Sequence, residues 1–322
     1  MQASEVPGAS HARPGTLSGL RIGVTGSSGL VGSALLAHLR ECGVRCTRFV
    51  RSAQRGRTPD SRIFDPRACV TGSAPPDLSG LDAIVHLAGA SIAAGRWSRR
   101  RKTEILESRV LSTRTLAASI AQRAPLPLIC ASAIGYYGDT GEALVDESSP
   151  MGRGFLAEVV YEWEGAAQAA RDAGGRVVHT RLGVVLAREG GALRAMLPAF
   201  RCGLGGPVGL GTQGFSWISL VDAVRAIAHC IADERAHGPV NLVAPDPRMQ
   251  REFARALGRA CRRPAIVPLP SPLIRLALGE MGRALLLEGA FVRPTRLTEL
   301  GFKFAHPTLD EALRALVANP RA

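Results

Sequence analysis

A doubly wound α/β fold, a parallel sheet covered by helices on both faces, is predicted by three features of this 322-residue sequence. Short apolar runs alternate with helix-length amphipathic stretches through the first two thirds. The runs are apolar almost without interruption, and a glycine-spaced turn joins the first run to the first helix. Alternating strand and helix argue for a parallel sheet. Strands buried on both faces lose the polar-apolar alternation of an exposed sheet, as "AIVHLAG" does.

The strands read as 21–25, 45–50, 83–87, 128–131 and 177–182, with helical patterns at 30–42, 103–123 and 155–173. Beyond Gly190 the texture changes to glycine-rich loops, "RCGLGGPVGLGTQG", followed by a helical segment at 222–233. Proline punctuation follows at "APDP" and "VPLPSP", with short helices at 251–261 and 309–317. Three regions are therefore expected: a disordered tail over 1–18, a sheet domain over 19–190, and a smaller, partly helical lobe over 191–322 that returns strand elements to the main sheet.

A hydrophobic content of 46% and a charged content of 21% are those of an ordinary globular chain long enough to bury a sizeable core. Net charge is +13, from 40 basic and 27 acidic residues, and only Lys102 and Lys303 are lysines. A pI near 10.5 raises the question of nucleic acid. The one dense cluster, Arg96, Arg99, Arg100, Arg101 and Lys102, has no aromatic interleaving and lies in no nucleic-acid motif, so no specific nucleic-acid partner is expected. An anionic small-molecule substrate fits the charge better. Seven cysteines, Cys42, Cys46, Cys69, Cys130, Cys202, Cys230 and Cys261, form no CxxC pair and several lie in apolar runs, which suggests a reducing cytoplasm. No two histidines stand at metal-ligand spacing, so no metal is expected. Neither a signal peptide nor a membrane span is indicated. Oligomeric state is left open.

The stretch "VTGSSGLVGSALLAHLRECG" carries the clearest functional signal. Gly26, Gly29 and Gly32 follow the strand "RIGVT" and open a helix, the context that a dinucleotide fingerprint requires. The first glycine makes a tight turn, the second admits the backbone to a pyrophosphate, and the third lets the helix pack closely on the sheet. The helix N-terminus, with Ser27, Ser28, Leu30 and Val31 around it, offers free amides and the positive end of its dipole. The spacing is GxxGxxG rather than GxGxxG. At the end of the second strand, where an acidic residue would hold a ribose 2′-hydroxyl, "RFVRSAQRGR" places Arg51 instead. A guanidinium there pairs with a 2′-phosphate, which predicts NADP(H) in preference to NAD(H).

Taken with "HLAGA", "SAIGYYG" and "SWISLVDAVRAI", the stretch "TGSSGLVG" resembles the extended short-chain dehydrogenases/reductases, the superfamily of nucleotide-sugar epimerases and dehydratases. "GRWSRRRKTEILESRVLSTRTL", "EWEGAA", "RLGVVLAREGGAL", "NLVAPDP" and "RPTRLTELGFKFAHPTLDEAL" are similar to an atypical branch with a C-terminal domain of unknown function. Some relatives in that branch are described as cell-division or plastid-division factors. The resemblance runs from about residue 20 to 317. It implies a Rossmann-type sheet, with cofactor contacts at Gly26 to Gly32, Val50 and Arg51, the strand-end loop Leu87, Ala88 and Gly89, the helix motif residues Glu104 and Arg109, and Val185. Glu104 and Arg109 are five apart and do not share a helical stripe, so spacing alone does not pair them.

The superfamily's usual proton machinery is a Ser or Thr followed by Tyr-x-x-x-Lys, in which the lysine makes the tyrosine a usable acid-base group at neutral pH. Ser98 stands four before Lys102 and Glu299 four before Lys303, so the pair is missing. Tyr161 lies in the corresponding helix, but Gly165 follows it four residues on. Ser132 in "ASAIGYYG" sits at the strand end, although the position four before Tyr137 is Ala133 and a shift of one reverses a strand side chain's face. Ser132 and Tyr137 are the candidate catalytic residues. His86, inside a buried strand, reads as a satisfied core or cofactor-contacting imidazole. Trp97, Trp163 and Trp217 read as packing residues. Two readings follow: an NADP(H)-binding oxidoreductase or epimerase with a non-standard proton relay, acting on a small carbonyl or nucleotide-linked substrate, or a catalytically weak NADP(H)-binding regulator or scaffold.

Overall fold

The computed structural model describes residues 16–52, 58, 60–123 and 125–318. Most of the expected tail, residues 1–15, lies outside the described residues, as do residues 53–57 after Arg51. A seven-stranded parallel sheet forms the centre. From one edge to the other its strands are Gly238–Leu242, Val177–Leu182, Leu128–Ala133, Ala83–His86, Arg21–Thr25, Arg45–Val50 and Ser61–Ile63. The chain therefore builds outward from Arg21–Thr25 in one direction, then returns to start again on its other side. That reversal leaves a crevice between Arg21–Thr25 and Ala83–His86 at the carboxyl edge, the place where open α/β sheets bind ligands.

Alternation along each strand assigns the two helical layers. Ile22, Val24, Val85, Ile129, Val178 and Val240 face helices Leu30–Glu41 and Leu220–Ala232, which contribute Leu35, Leu39, Ala223 and Ile227. Ile84, Leu128, Cys130 and Val177 face the other side, where Leu116, Ala117 and Ile120 of helix Arg99–Ala121 close the layer with Ala167 and Ala170. The apolar runs carry residues for both layers, and so they show no polar alternation.

The structure departs from the sequence-level elements in three places. The segment read as one helix over 155–173 is two, Phe155–Gly165 and Gln168–Asp172, with Ala167 at φ −85° and ψ 3° between them. The stretch after Gly190 opens with a helix, Gly191–Arg201, whose Leu193, Leu197 and Phe200 are buried at helical spacing. The prolines near 270 introduce helix Ser271–Gly282, with Pro272 in its first turn, where the missing amide costs nothing. Helices Gly191–Arg201, Gln250–Ala260 and Leu309–Ala318 share a second core with Trp217 and Phe253. All seven cysteines are free, and burial pushes Cys130 and Cys230 up to about 12, which leaves them unreactive. No helix among the described residues is long and apolar enough to cross a membrane.

Two histidines are built into the sheet. His86 is fully buried between Thr25 Oγ1, 2.6 Å from its Nδ1, and Ser112 Oγ, 3.0 Å from its Nε2. Burial holds its pKa down at about 3. His179 is also buried and accepts from Arg171 across 3.0 Å; burial, partly opposed by Glu164, holds it at about 4. Both rings are neutral in the folded chain and free to protonate in the unfolded one. Their stability contribution is thus complete above about pH 6.5 and is lost as pH falls toward these lowered values. Urea unfolding between about pH 6.5 and 5, above the carboxylate range, is expected to show stability falling with a slope approaching two protons. His179→Gln should remove one proton from that slope, and a flat profile would refute the assignment.

Candidate functional site

Gly26 ends the first strand with φ +64°, and a Cβ there would stand 2.6 Å from the Leu87 carbonyl and 2.8 Å from the Ala88 nitrogen. Gly32 is as constrained, since its Cβ would meet the Gly26 oxygen at 2.2 Å. Gly29 differs: only the Gly26 oxygen, at 3.3 Å, lies near its Cβ position, so the loop is open on that side. Helix Leu30–Glu41 begins there with no side-chain cap and no acidic residue in its first turn. Its leading amides and the positive end of its dipole are therefore uncompensated by the protein.

Several of the sequence-predicted residues gather around this loop. Ser27 is buried, Ser28 exposed, and Leu30 and Val31 half-buried. Leu30 reaches Gly190 and Gly191, with the Val185 oxygen 3.4 Å from the Gly191 Cβ position, so the loop after strand Val184–Leu186 closes against the start of the first helix. Val50 ends the second strand, and Arg51 is exposed beyond it. Sequence reasoning missed Arg48, whose Nε donates to Ser27 Oγ at 3.3 Å. Its in-strand position, opposite Val24, was the available signal.

The facing wall is pinned by a short relay. Thr25 Oγ1 accepts from the Leu87 and Ala88 amides at 3.2 and 3.3 Å and bonds His86 Nδ1, while Ser112 holds the other ring nitrogen. Beyond it, Gly89 leaves room for Arg109, whose guanidinium carbon lies 3.3 Å from the Gly89 Cβ position and 5.1 Å from the Trp163 ring. Arg109 donates to the Ile105 carbonyl at 3.0 Å, and among the described residues no carboxylate forms an ion pair with it. Burial, with Arg101 nearby, lowers its pKa to about 10 and leaves it charged at neutral pH. Glu104 is exposed and pairs with Arg101 at 2.6 Å rather than with Arg109.

Ser132 and Tyr137 lie in a different environment from this open loop. Register sets Ser132, Arg181 and Asn241 side by side on three neighbouring strands. Ser132 Oγ donates to Glu164 Oε1 at 2.6 Å, and Arg181 clamps both Glu164 oxygens at 2.8 Å. Tyr137 receives a bond from Arg181 at 3.0 Å and donates to Asn241 Oδ1 at 2.8 Å. Burial alone would raise the Glu164 carboxyl, but the Arg181 bonds outweigh it and hold it below the ordinary range. Burial pushes the Tyr137 phenol up to about 12 in spite of Arg181. Ser132 and Tyr137 are each about 3% exposed, so neither hydroxyl faces open solvent. Glu164, Arg181 and Asn241 escaped sequence reasoning because nothing in their own segments marks them as partners: Glu164 shares its helix with Glu158 and Glu162, and Arg181 follows His179 and Thr180. The matching phase of Ser132, Arg181 and Asn241 on three strands, with Glu164 reaching them from a helix, becomes visible only once the register is known. Tyr161 is exposed.

Comparison with known proteins supplies the family. Residues 22–243 match the NAD dependent epimerase/dehydratase family, and residues 269–316 match a domain of unknown function, DUF1731. An epimerase family protein of Mycobacterium bovis is 43% identical over 304 residues, covering 93% of this chain and 98% of its own length. A crystal structure of human epimerase family protein SDR39U1 (isoform2) with NADPH is 34% identical with a TM-score of 0.85, covering 93% of this chain and 100% of that one. A nucleoside-diphosphate sugar epimerase from Corynebacterium glutamicum is 33% identical with a TM-score of 0.76, covering 94% of this chain and 59% of that one. With the glycine loop at the sheet's reversal point and a family match over more than half its length, the chain belongs to the NAD dependent epimerase/dehydratase family.

Proposed function

We propose that the chain is an NADP(H)-binding oxidoreductase or epimerase-like enzyme for a small carbonyl or nucleotide-linked substrate. The observation that carries this reading is the open cradle at Gly29: an uncapped helix end between Arg48 on one side and Arg109 on the other. A diphosphate suits the uncapped leading amides of the helix at Leu30 and Val31, beside the loop Gly26, Ser27, Ser28 and Gly29, whose Gly29 amide is already bonded to the Gly26 carbonyl at 3.0 Å, and a 2′-phosphate suits Val50, Arg51 and Arg48. Leu87, Ala88 and Gly89 form the facing wall, with Glu104 and Arg109 on the helix behind it, and Val185 closes the inner end. When bound, the nicotinamide supplies or accepts the hydride; the chain's own residues hold, orient and shield.

In this reading Ser132 and Tyr137 support the site. Their hydroxyls fix Glu164 and Arg181 under the strand ends, and a phenol raised to about 12 is a poor base at neutral pH. Tyr136 is a better candidate for meeting substrate. Its ring lies 3.6 Å from the Arg181 guanidinium carbon, and its hydroxyl has no hydrogen-bond partner among the described residues. The engagement of both Ser132 and Tyr137 also favours a second reading, a cofactor-binding regulator with little turnover. That reading predicts cofactor binding with no change in nicotinamide absorbance across a carbonyl and nucleotide-sugar panel.

Calorimetry should detect NADPH binding tighter than NADH, and Arg51→Ala and Arg48→Ala should each narrow the gap by about 1.5–3 kcal/mol, the size of a charged hydrogen bond. Absence of heat with both NADPH and NADP+ would sink the proposal. For the supporting network, Arg181→Met should cost about 3–5 kcal/mol in urea unfolding because it strands the buried Glu164 carboxylate, whereas Tyr137→Phe should cost about 1 kcal/mol. Equal losses would argue against a network centred on the ion pair.

A further inference from the structure

The first turn of helix Arg99–Ala121 holds Arg99, Arg100, Arg101 and Lys102 with no acidic residue. Four cations there oppose the helix's own positive end, and the exposed Arg96 lies just upstream. Two carboxylates offset this charge: Glu104 on Arg101, and Glu280 on Lys102. Among the described residues, Arg96, Arg99 and Arg100 form no ion pair. The helix follows strand Ala83–His86, so this turn stands above the carboxyl edge of the sheet. Arg101 Nη2 donates to the Ser91 carbonyl, two residues beyond Gly89, which ties the turn to the wall of the cofactor loop.

Glu280 reaches Lys102 from 178 residues away, with both carboxylate oxygens 2.6 Å from Nζ. Gly279, at φ +61° and ψ −137°, breaks its helix just before it, and Arg96 Nη2 lies 3.3 Å from the Gly279 Cβ position. Lys102 also sits 4.9 Å over the Phe155 ring, which Trp97 braces from 5.0 Å. The carboxylate thus rests on one lysine at the margin of a patch that keeps spare cations. Lys102 and Glu280 remain 30% and 40% exposed, so solvent-borne anions can reach them and the pair is cheap to part.

We propose that Lys102 and Arg96 form an anion subsite for a phosphate or diphosphate ester group of the substrate, and that Glu280 is the chain's own carboxylate held in that place until substrate displaces it. A phosphate ester matches the surplus better than a carboxylate, because it carries more charge and more acceptor oxygens for the cations Glu280 leaves unpaired. The proposal deepens the enzyme reading above and rests on it for the presence of a substrate.

The test is calorimetry with inorganic pyrophosphate on the full chain saturated with NADPH, so that the glycine loop is filled. Glu280→Gln should tighten pyrophosphate binding several-fold, while Glu311→Gln, the same charge change on a distant exposed helix, should leave it as in the unaltered chain. Lys102→Met and Arg96→Met should each weaken it about tenfold or more, and Lys102→Arg should retain it. Unchanged affinity in Lys102→Met and Arg96→Met, or equal effects of Glu280→Gln and Glu311→Gln, would overturn the subsite. NADPH heats in the unaltered chain report on the cofactor reading separately: their absence fails that reading, whereas their presence with indifferent Lys102 and Glu280 variants fails only this one.

Discussion

Gly26 and the Leu87–Ala88 backbone come closer than any side chain at position 26 would allow, and the crevice at the carboxyl edge of the sheet is arranged around that approach. Two loops leaving neighbouring strands are held against each other at the point where the sheet reverses direction. The glycines remove the atoms that would keep the loops apart. The Thr25–His86–Ser112 relay then satisfies the polar groups that the contact takes out of water. A buried hydroxyl, imidazole and pair of amides would each be costly alone; linked in series they fix one geometry.

A second polar system lies on the three strands beyond Ala83–His86 and obeys the same rule. Ser132, Arg181 and Asn241 face one side because parallel register places them level, and Glu164 and Tyr137 complete their bonds from above. An arginine in a buried strand would be intolerable without that carboxylate. Here the bidentate geometry, with a serine and a tyrosine taking up remaining valences, makes it acceptable. Asn241 extends the system toward the C-terminal segment, since its amide nitrogen donates to the Arg293 carbonyl and its backbone to Glu147. The C-terminal segment around Arg293 is therefore joined to the sheet through hydrogen bonds as well as apolar packing.

Much of this was legible in the residues. Strand-helix alternation exposed the sheet because parallel strands are apolar on both sides, and the glycine spacing exposed the loop because only glycine permits the approach it makes. Arg51 is named by its position alone, and the structure shows it exposed beyond the second strand. Arg48, Arg181, Asn241 and Glu280 could not be named so, since each acquires its partner through contacts between segments distant in sequence. Helix Gly191–Arg201 was hidden by the glycines on either side of it, although Leu193, Leu197 and Phe200 carried its period. Glu104 and Arg109 show the converse: a five-residue spacing gave no reason to pair them, and in the structure they hold different partners.

Strand Gly238–Leu242 forms an outer edge of the sheet although it is encoded far beyond the elements that flank the glycine loop. A chain ending near residue 190 would leave Val177–Leu182 with a bare row of backbone donors and acceptors on an apolar strand, the kind of surface that recruits other molecules into aggregates. The segment up to about residue 190 is consequently not a detachable module. During synthesis it must wait for the later segment before its sheet can close, and exchange of the C-terminal part between homologues would carry an edge of the parent sheet with it.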